Sequence, residues 1–264
     1  MKSNKLSLVL GSGGARGIAH IGVIRFLIEC GYEIDEVVGC SIGSLVGGAF
    51  AKGKIFELEE WMSRLTKREV FRLMDFSDPR FGFLKGERVF NTLQDVFEDE
   101  MIENLGVSYT AVATDLAHDK EIVFRQGSLY KAIRASIAIP AVFKGVDTED
   151  SFLVDGGVLN PLPVNHVQHR DNIVVAVNLD GYPEMQAARP YSRMNAIGIL
   201  QESYLMMRRR LATLTVNLYR PDYIIDIPHN IANIWDFDRS TDLIERGYTI
   251  AKSNFSELVL TKSV

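Results

Sequence analysis

Cysteine is nearly absent from this chain. Its 264 residues hold two, Cys30 and Cys40, with no CxxC pair and no evenly spaced set. That excludes a disulfide framework and fits a reducing compartment. A positive excess is also missing: 29 Lys and Arg stand against 34 Asp and Glu, for a net charge of −5 and a pI of about 5.6. A nucleic-acid partner is therefore not expected, because phosphate binding draws on clustered Lys and Arg. No window approaches the roughly 20 apolar residues of a membrane-spanning helix. At the N-terminus, Met1 to Lys5 lead into a short apolar run, Leu6 to Leu10, which glycine interrupts before it could form the core of a secretion signal. The expected location is cytoplasmic, with peripheral contact at the inner membrane face left open. There is no internal repeat, no low-complexity tract and no Pro/Gly/Ser-rich linker, so a single domain over residues 1–264 is expected. What remains is the composition of an ordinary globular protein, 47% apolar and 24% charged.

The pattern along the chain alternates between the two periodicities. Leu6–Leu10 is β-prone, Ile18 to Cys30 has helical apolar spacing, Val37-Val38 starts a second strand, and Ile42 to Lys52 reads as a helix. Ile55–Leu65 and Glu87–Phe97 are expected to be helical. Val107–Ala113, Glu121–Phe124, Phe152–Val154, Ile173–Val177 and Tyr223–Ile227 are expected to be strands. A long helix from about Met194 to Leu218 and another from Thr241 onward end the chain, and Asp75 to Gly86 is a loop. This alternation predicts an α/β sandwich, helices on both faces of a mainly parallel central sheet.

Two glycine-rich loops open helices directly after strands: Gly11-Ser12-Gly13-Gly14-Ala15-Arg16-Gly17, and Gly39-Cys40-Ser41-Ile42-Gly43. The second is a GxSxG pattern in the strand–turn–helix setting of a nucleophile elbow, with Ser41 at a helix N-terminus where free N–H groups favour developing negative charge. One strand–helix–strand unit separates the loops, about the length of a parallel crossover, so both emerge on the same rim of the sheet. The Gly13 and Gly14 N–H groups can then face an oxygen held beside the Ser41 hydroxyl, as in an oxyanion hole. A nucleotide site fits less well. GxGxxG needs glycine where Arg16 stands, an acidic residue at the end of the second strand is missing, and the Walker-like Gly48 to Lys54 lacks its Ser or Thr and ends a helix rather than preceding one.

A serine nucleophile needs a proton acceptor. His118, His166, His169 and His229 follow Ser41 in the chain, but none follows a strand in a poised position. Asp155 does: it ends Phe152-Leu153-Val154 and precedes Gly156-Gly157. An ordinary Asp-Gly turn is the plain alternative.

Together, Gly13-Gly14-Ala15-Arg16-Gly17, Gly39-Cys40-Ser41-Ile42-Gly43 and Asp155-Gly156-Gly157 resemble, in order, the three motifs of the patatin-like phospholipases. Ala113-Thr114-Asp115-Leu116 and Ala135 to Pro140 resemble that family's connecting regions. The motif-bearing part covers about 6–180, and the remainder, about 190–264, is expected to be helical. Ser12 departs from the family, many members of which carry a further glycine there. The resemblance implies a patatin-like fold and a Ser–Asp dyad without histidine, with Ser41 as nucleophile, Asp155 as proton acceptor, Gly13 and Gly14 as oxyanion donors, and Gly11, Arg16, Gly17, Gly39, Gly43, Gly156 and Gly157 as motif positions. It implies no metal or organic cofactor, and His166-x-x-His169 lacks the partners of a metal site. Among bacterial members the chain resembles the small cytoplasmic group similar to the catalytic domain of neuropathy target esterase. The implied substrates are lysophospholipids and other carboxylic esters.

Two readings share these motifs: an acyltransferase or thioesterase on the same dyad, and a regulatory protein that keeps the fold. Oligomeric state and head-group choice leave no mark in the sequence. Phe71 to Leu84 is apolar for a loop, which suggests an acyl-groove wall that includes Phe81 and Phe83, or simply core. Arg208, Arg209 and Arg210 follow Met206 and Met207. That run reads as a solvated helix face, with attraction to anionic head groups as the alternative.

Overall fold

The computed structural model describes residues 4–75, 84–183 and 195–261. The strands are β1 (Lys5–Leu10), β2 (Glu33–Cys40), β3 (Ser108–Asp115), β4 (Lys120–Phe124), β5 (Val146–Asp147), β6 (Phe152–Asp155), β7 (Ile173–Gly181) and β8 (Tyr223–Pro228). The helices are α1 (Ala19–Glu29), α2 (Ile42–Ala51), α3 (Ile55–Ser63), α4 (Lys67–Leu73), α5 (Glu87–Val96), α6 (Leu129–Ser136), α7 (Ala196–Tyr219) and α8 (Ser240–Thr261). The sheet order is β5-β6-β3-β2-β1-β7-β8, with β4 also paired to β3. The run from β3 through β2, β1 and β7 to β8 is parallel, while β4 and β6 join β3 antiparallel. This is the expected sandwich.

Period-two alternation sorts the central strands between two cores. On β1, Leu6, Leu8 and Leu10 face a large core with α1, α2, α3 and α8, whereas Val9 faces a smaller one with Leu162, Val167 and Ala212 of α7. α1 and α8 cross almost backbone to backbone. A Cβ on Gly22 would lie 1.9 Å from the Ile244 carbonyl oxygen, and one on Gly247 would lie 2.0 Å from that of Ala19. This crossing ties the C-terminal helix to the helix that follows the first glycine loop. Among the described residues no helix is long and apolar enough to cross a membrane.

Three local expectations change. β2 starts at Glu33, well before Val37, so Asp35 and Glu36 lie inside the strand. Glu36 is fully buried there, yet its carboxylate accepts from the Ser7 hydroxyl and from the backbone amides of Gln168 and His169 (2.7 and 3.1 Å), which makes a charge tolerable in a central strand. α4 and α6 were not anticipated. The segment Val164 to Arg170, expected as a helix or turn with His166 and His169 on one face, is a single 3-10 turn that ends at His166.

Candidate active site

Sheet register brings the second and third motifs together. On β3, Val112 pairs with Cys40 and the next residue, Ala113, pairs with Asp155. Ser41, one step beyond Cys40, therefore arrives beside Asp155, and its hydroxyl donates to Asp155 Oδ2. Ser41 has φ 56° and ψ −126°, a strained conformation for a residue with a Cβ. The surroundings hold it: the Ser41 N–H donates to Ser136 Oγ (2.9 Å), whose hydroxyl donates to the Val112 carbonyl (2.6 Å). The glycine after the serine is sterically required, since a Cβ on Gly43 would sit 2.2 Å from the Leu10 carbonyl oxygen. Gly39 is just as confined, against the backbone of Gly43.

Asp155 is buried, and its second oxygen accepts from the Gly157 N–H (2.7 Å). Burial pushes its carboxyl up to about 6. The hydrogen bonds from Ser41 and Gly157 and the positive charge of Arg208 partly offset that rise. At neutral pH the group is mostly ionised and still basic. Gly156 packs against the Val112 carbonyl and leaves no room for a side chain. The buried Cys40 thiol is pushed well up by burial and by the Asp155 charge, so it stays a thiol.

The first motif forms the facing wall. The Gly11 N–H donates to the Val177 carbonyl (3.1 Å), that of Ser12 to Pro161 (2.8 Å) and that of Ala15 to Ile234 (3.1 Å). The amides in between, Gly13 and Gly14, open a 3-10 helix and lack an intrahelical acceptor by position. Gly14 has φ +60°, and a Cβ there would meet the Ile234 carbonyl oxygen at 2.9 Å. Gly17 packs directly on Ile42, the first residue of α2. Arg16 turns inward. Its guanidinium reaches the carbonyls of Gly13 (3.0 Å), Leu179 (2.9 Å) and His229 (3.2 Å), with Asp180 at 3.4 Å, and burial lowers it to about 10.

Ser41 and Gly14 line one apolar cleft, with about 110 Å³ of free space, whose walls include Leu45, Met62, Leu73 and Trp235. Met74 and Leu84, from the suspected apolar segment, also belong to it. Phe71 is exposed on α4, and Phe81 and Phe83 lie outside the described residues. The four histidines are engaged elsewhere. His118 bonds to Asp115 (2.7 Å), His166 to Glu121 (2.6 Å) and His229 to the Gly181 carbonyl (2.9 Å), while His169 lies 3.5 Å from Asp35.

A family model for patatin-like phospholipases matches residues 8–167, which contain all three motifs. The chain belongs to the patatin-like phospholipase family. Two relatives from Mycobacterium bovis are named uncharacterized NTE family proteins. One is 44% identical over 180 residues, 68% of this chain and 50% of the relative. The other is 32% identical over 266 residues, 96% of this chain and 44% of the relative. The rat patatin-like phospholipase domain-containing protein 7 is 30% identical over 192 residues, 70% of this chain and 14% of that protein. The patatin-like chain thus spans about half the length of the first relatives it matches. Its fold is similar to that of VipD from Legionella pneumophila, with a TM-score of 0.52 at 12% identity, covering 96% of this chain and 67% of that one.

Sequence reasoning missed four residues of the site. Ser136 props the elbow, and its place in Ala135 to Pro140 was the available signal. His20, buried under the glycine loop, donates Nε2–H to the Gly11 carbonyl (2.9 Å), and burial lowers it to about 4, which keeps it neutral. Asp180 and Arg208 form a buried ion pair (2.7 Å), so Arg208 is not on a solvated face. Of its neighbours, Arg209 is half-buried against Glu202 (3.0 Å) and Arg210 is exposed. No sequence spacing links residues so far apart in the chain.

Proposed function

We propose that this chain hydrolyses carboxylic esters of lipids through an acyl-enzyme on Ser41, with Asp155 as the base. The observation that carries the reading is the Ser41 hydroxyl donating to a buried, ionisable carboxylate at the wall of an apolar cleft. Asp155 takes the hydroxyl proton as Ser41 Oγ attacks the ester carbonyl carbon. The carbonyl oxygen becomes an oxyanion facing the α2 N-terminus and the Gly13 and Gly14 amides. As the C–O bond to the alcohol breaks, Asp155 returns the proton to the leaving oxygen. Water then attacks the acyl-enzyme by the same route and releases the carboxylic acid and free Ser41. The Gly157 N–H holds Asp155 in place throughout.

The test is incubation with a fluorophosphonate followed by peptide mapping. Labelling at Ser41, lost in Ser41→Ala, together with release of fatty acid from lysophospholipid, is the expected result. A folded protein that takes no label would overturn the assignment.

A further inference from the structure

Arg208 comes from α7, far from every motif, yet its guanidinium is buried against the glycine loop. Nη1 donates to Ser12 Oγ (3.0 Å), Nη2 donates to the Ser12 carbonyl (2.9 Å), and Nη2 and Nε reach Asp180 Oδ2 (2.7 and 3.3 Å). Burying a guanidinium is costly unless its donors are satisfied, and here they are shared between one carboxylate and one loop residue. The Ser12 carbonyl belongs to the peptide unit whose N–H is that of Gly13. The Gly13 carbonyl, held by Arg16, belongs to the unit whose N–H is that of Gly14. A trans peptide is planar, with its N–H pointing away from its C=O, so clamping each carbonyl aims the opposite amide. Asp180 lies against both guanidiniums and holds the pair together.

We propose that Arg208 is a positioning residue of the ester-hydrolysing site, clamping the Ser12–Gly13 peptide so that its N–H faces the Ser41 oxyanion. This rests on the function proposed above. Its charge also favours the ionised form of Asp155. The groups around Asp155 bear on that charge effect. Cys40 from β2 and Tyr204 from α7 are neutral, because burial pushes both up, and Glu121 from β4 bears on Cys40. Arg208 is the cation acting on Asp155, and Asp180 from β7 faces it. Removing Arg208 disfavours the Asp155 carboxylate, so the acid limb of the rate profile moves to higher pH.

The experiment compares the parent with Arg208→Met and Arg208→Lys on p-nitrophenyl butyrate, following kcat, KM and the pH dependence of kcat/KM, with circular dichroism and Tm as checks on folding. Arg208→Met should lower kcat by about 10²-fold, the scale of a slightly misplaced catalytic group, with little change in KM. Its acid limb should rise. Arg208→Lys keeps the charge but not the fork, so it should lose at least about tenfold in kcat while the limb stays near the parent's. Parental kcat in both variants, or an unmoved limb in Arg208→Met, overturns the proposal. Should Arg208→Met not fold, Asp180→Asn decides. Freed of its counter-charge, Arg208 should then move the limb to lower pH, and an unmoved limb rejects the proposal. A folded parent that neither hydrolyses esters nor labels at Ser41 defeats the functional reading itself and this inference with it, an outcome distinct from active variants.

Discussion

The buried carboxyl proposed as the base, that of Asp155, lowers the stability of the fold. It sits near 6 in the fold against 3.8 in an exposed chain, because burial disfavours the charge. Between those values the folded protein keeps a proton that the unfolded chain has lost, so stability falls as pH rises through the window. Above it the penalty is complete, about 3 kcal/mol for a shift of about two units. Asp155→Asn should therefore raise Tm at pH 8 by something on the order of 5 °C while leaving Tm near pH 4 almost unchanged. Thermal unfolding at both pH values checks this, and an equal gain at both would show that the carboxylate charge is not the cause. The same substitution should abolish hydrolysis, as should Ser41→Ala, because members of a two-residue unit cost about as much singly as together. Replacing His118, His166, His169 or His229 should leave substantial activity. One histidine as necessary as Ser41 would end the dyad assignment.

At the scale of elements, the crossing of α1 and α8 sets two rules against each other. Exchanging a mid-helix glycine for alanine ordinarily gains about 1 kcal/mol in helix propensity. At Gly22 and Gly247 the new methyl would lie 1.9 and 2.0 Å from a carbonyl oxygen of the other helix, an overlap that only a backbone shift relieves. Such overpacking costs about 1–3 kcal/mol, so Gly22→Ala and Gly247→Ala should each destabilise the fold in urea titrations. A gain in either variant would mean that the helices separate easily. The parallel strands and the helices α1, α2, α7 and α8 were legible because a long apolar period leaves little choice. β2 was read short because a charged pair looked like a strand boundary, and only the tertiary partners of Glu36 explain it. α4 buries no residue and so shows no apolar stripe. Its signal was the capping box of Thr66 and Glu69. α6 did carry helical spacing, in Leu129, Ala132 and Ile133, but within a run too short to stand out. The three motif loops were legible because each is local. Arg208 was not, since a triple arginine on a helix looks solvated until a distant loop is seen against it.

At the scale of the whole molecule, the cleft is a joint product of elements distant in sequence. Leu45 of α2, Met62 of α3, Leu73 of α4 and Val89 of α5 meet Trp235 and Phe237 from the stretch before α8. An acyl chain entering this space from Ser41 would bury methylenes one after another, each contributing about 0.8 kcal/mol, or nearly fourfold in kcat/KM. Rates on p-nitrophenyl esters should therefore climb from acetate through butyrate and hexanoate until the cleft is full, then level off. Val89→Trp places a large ring into that space from α5 and substitutes none of Ser41, Asp155 or the glycine loop. It should bring the plateau to shorter chains and lower kcat/KM on the decanoate ester, while acetate is cleaved nearly as before. A parental profile in Val89→Trp would mean that the acyl chain leaves Ser41 by another path and that these side chains serve as core alone.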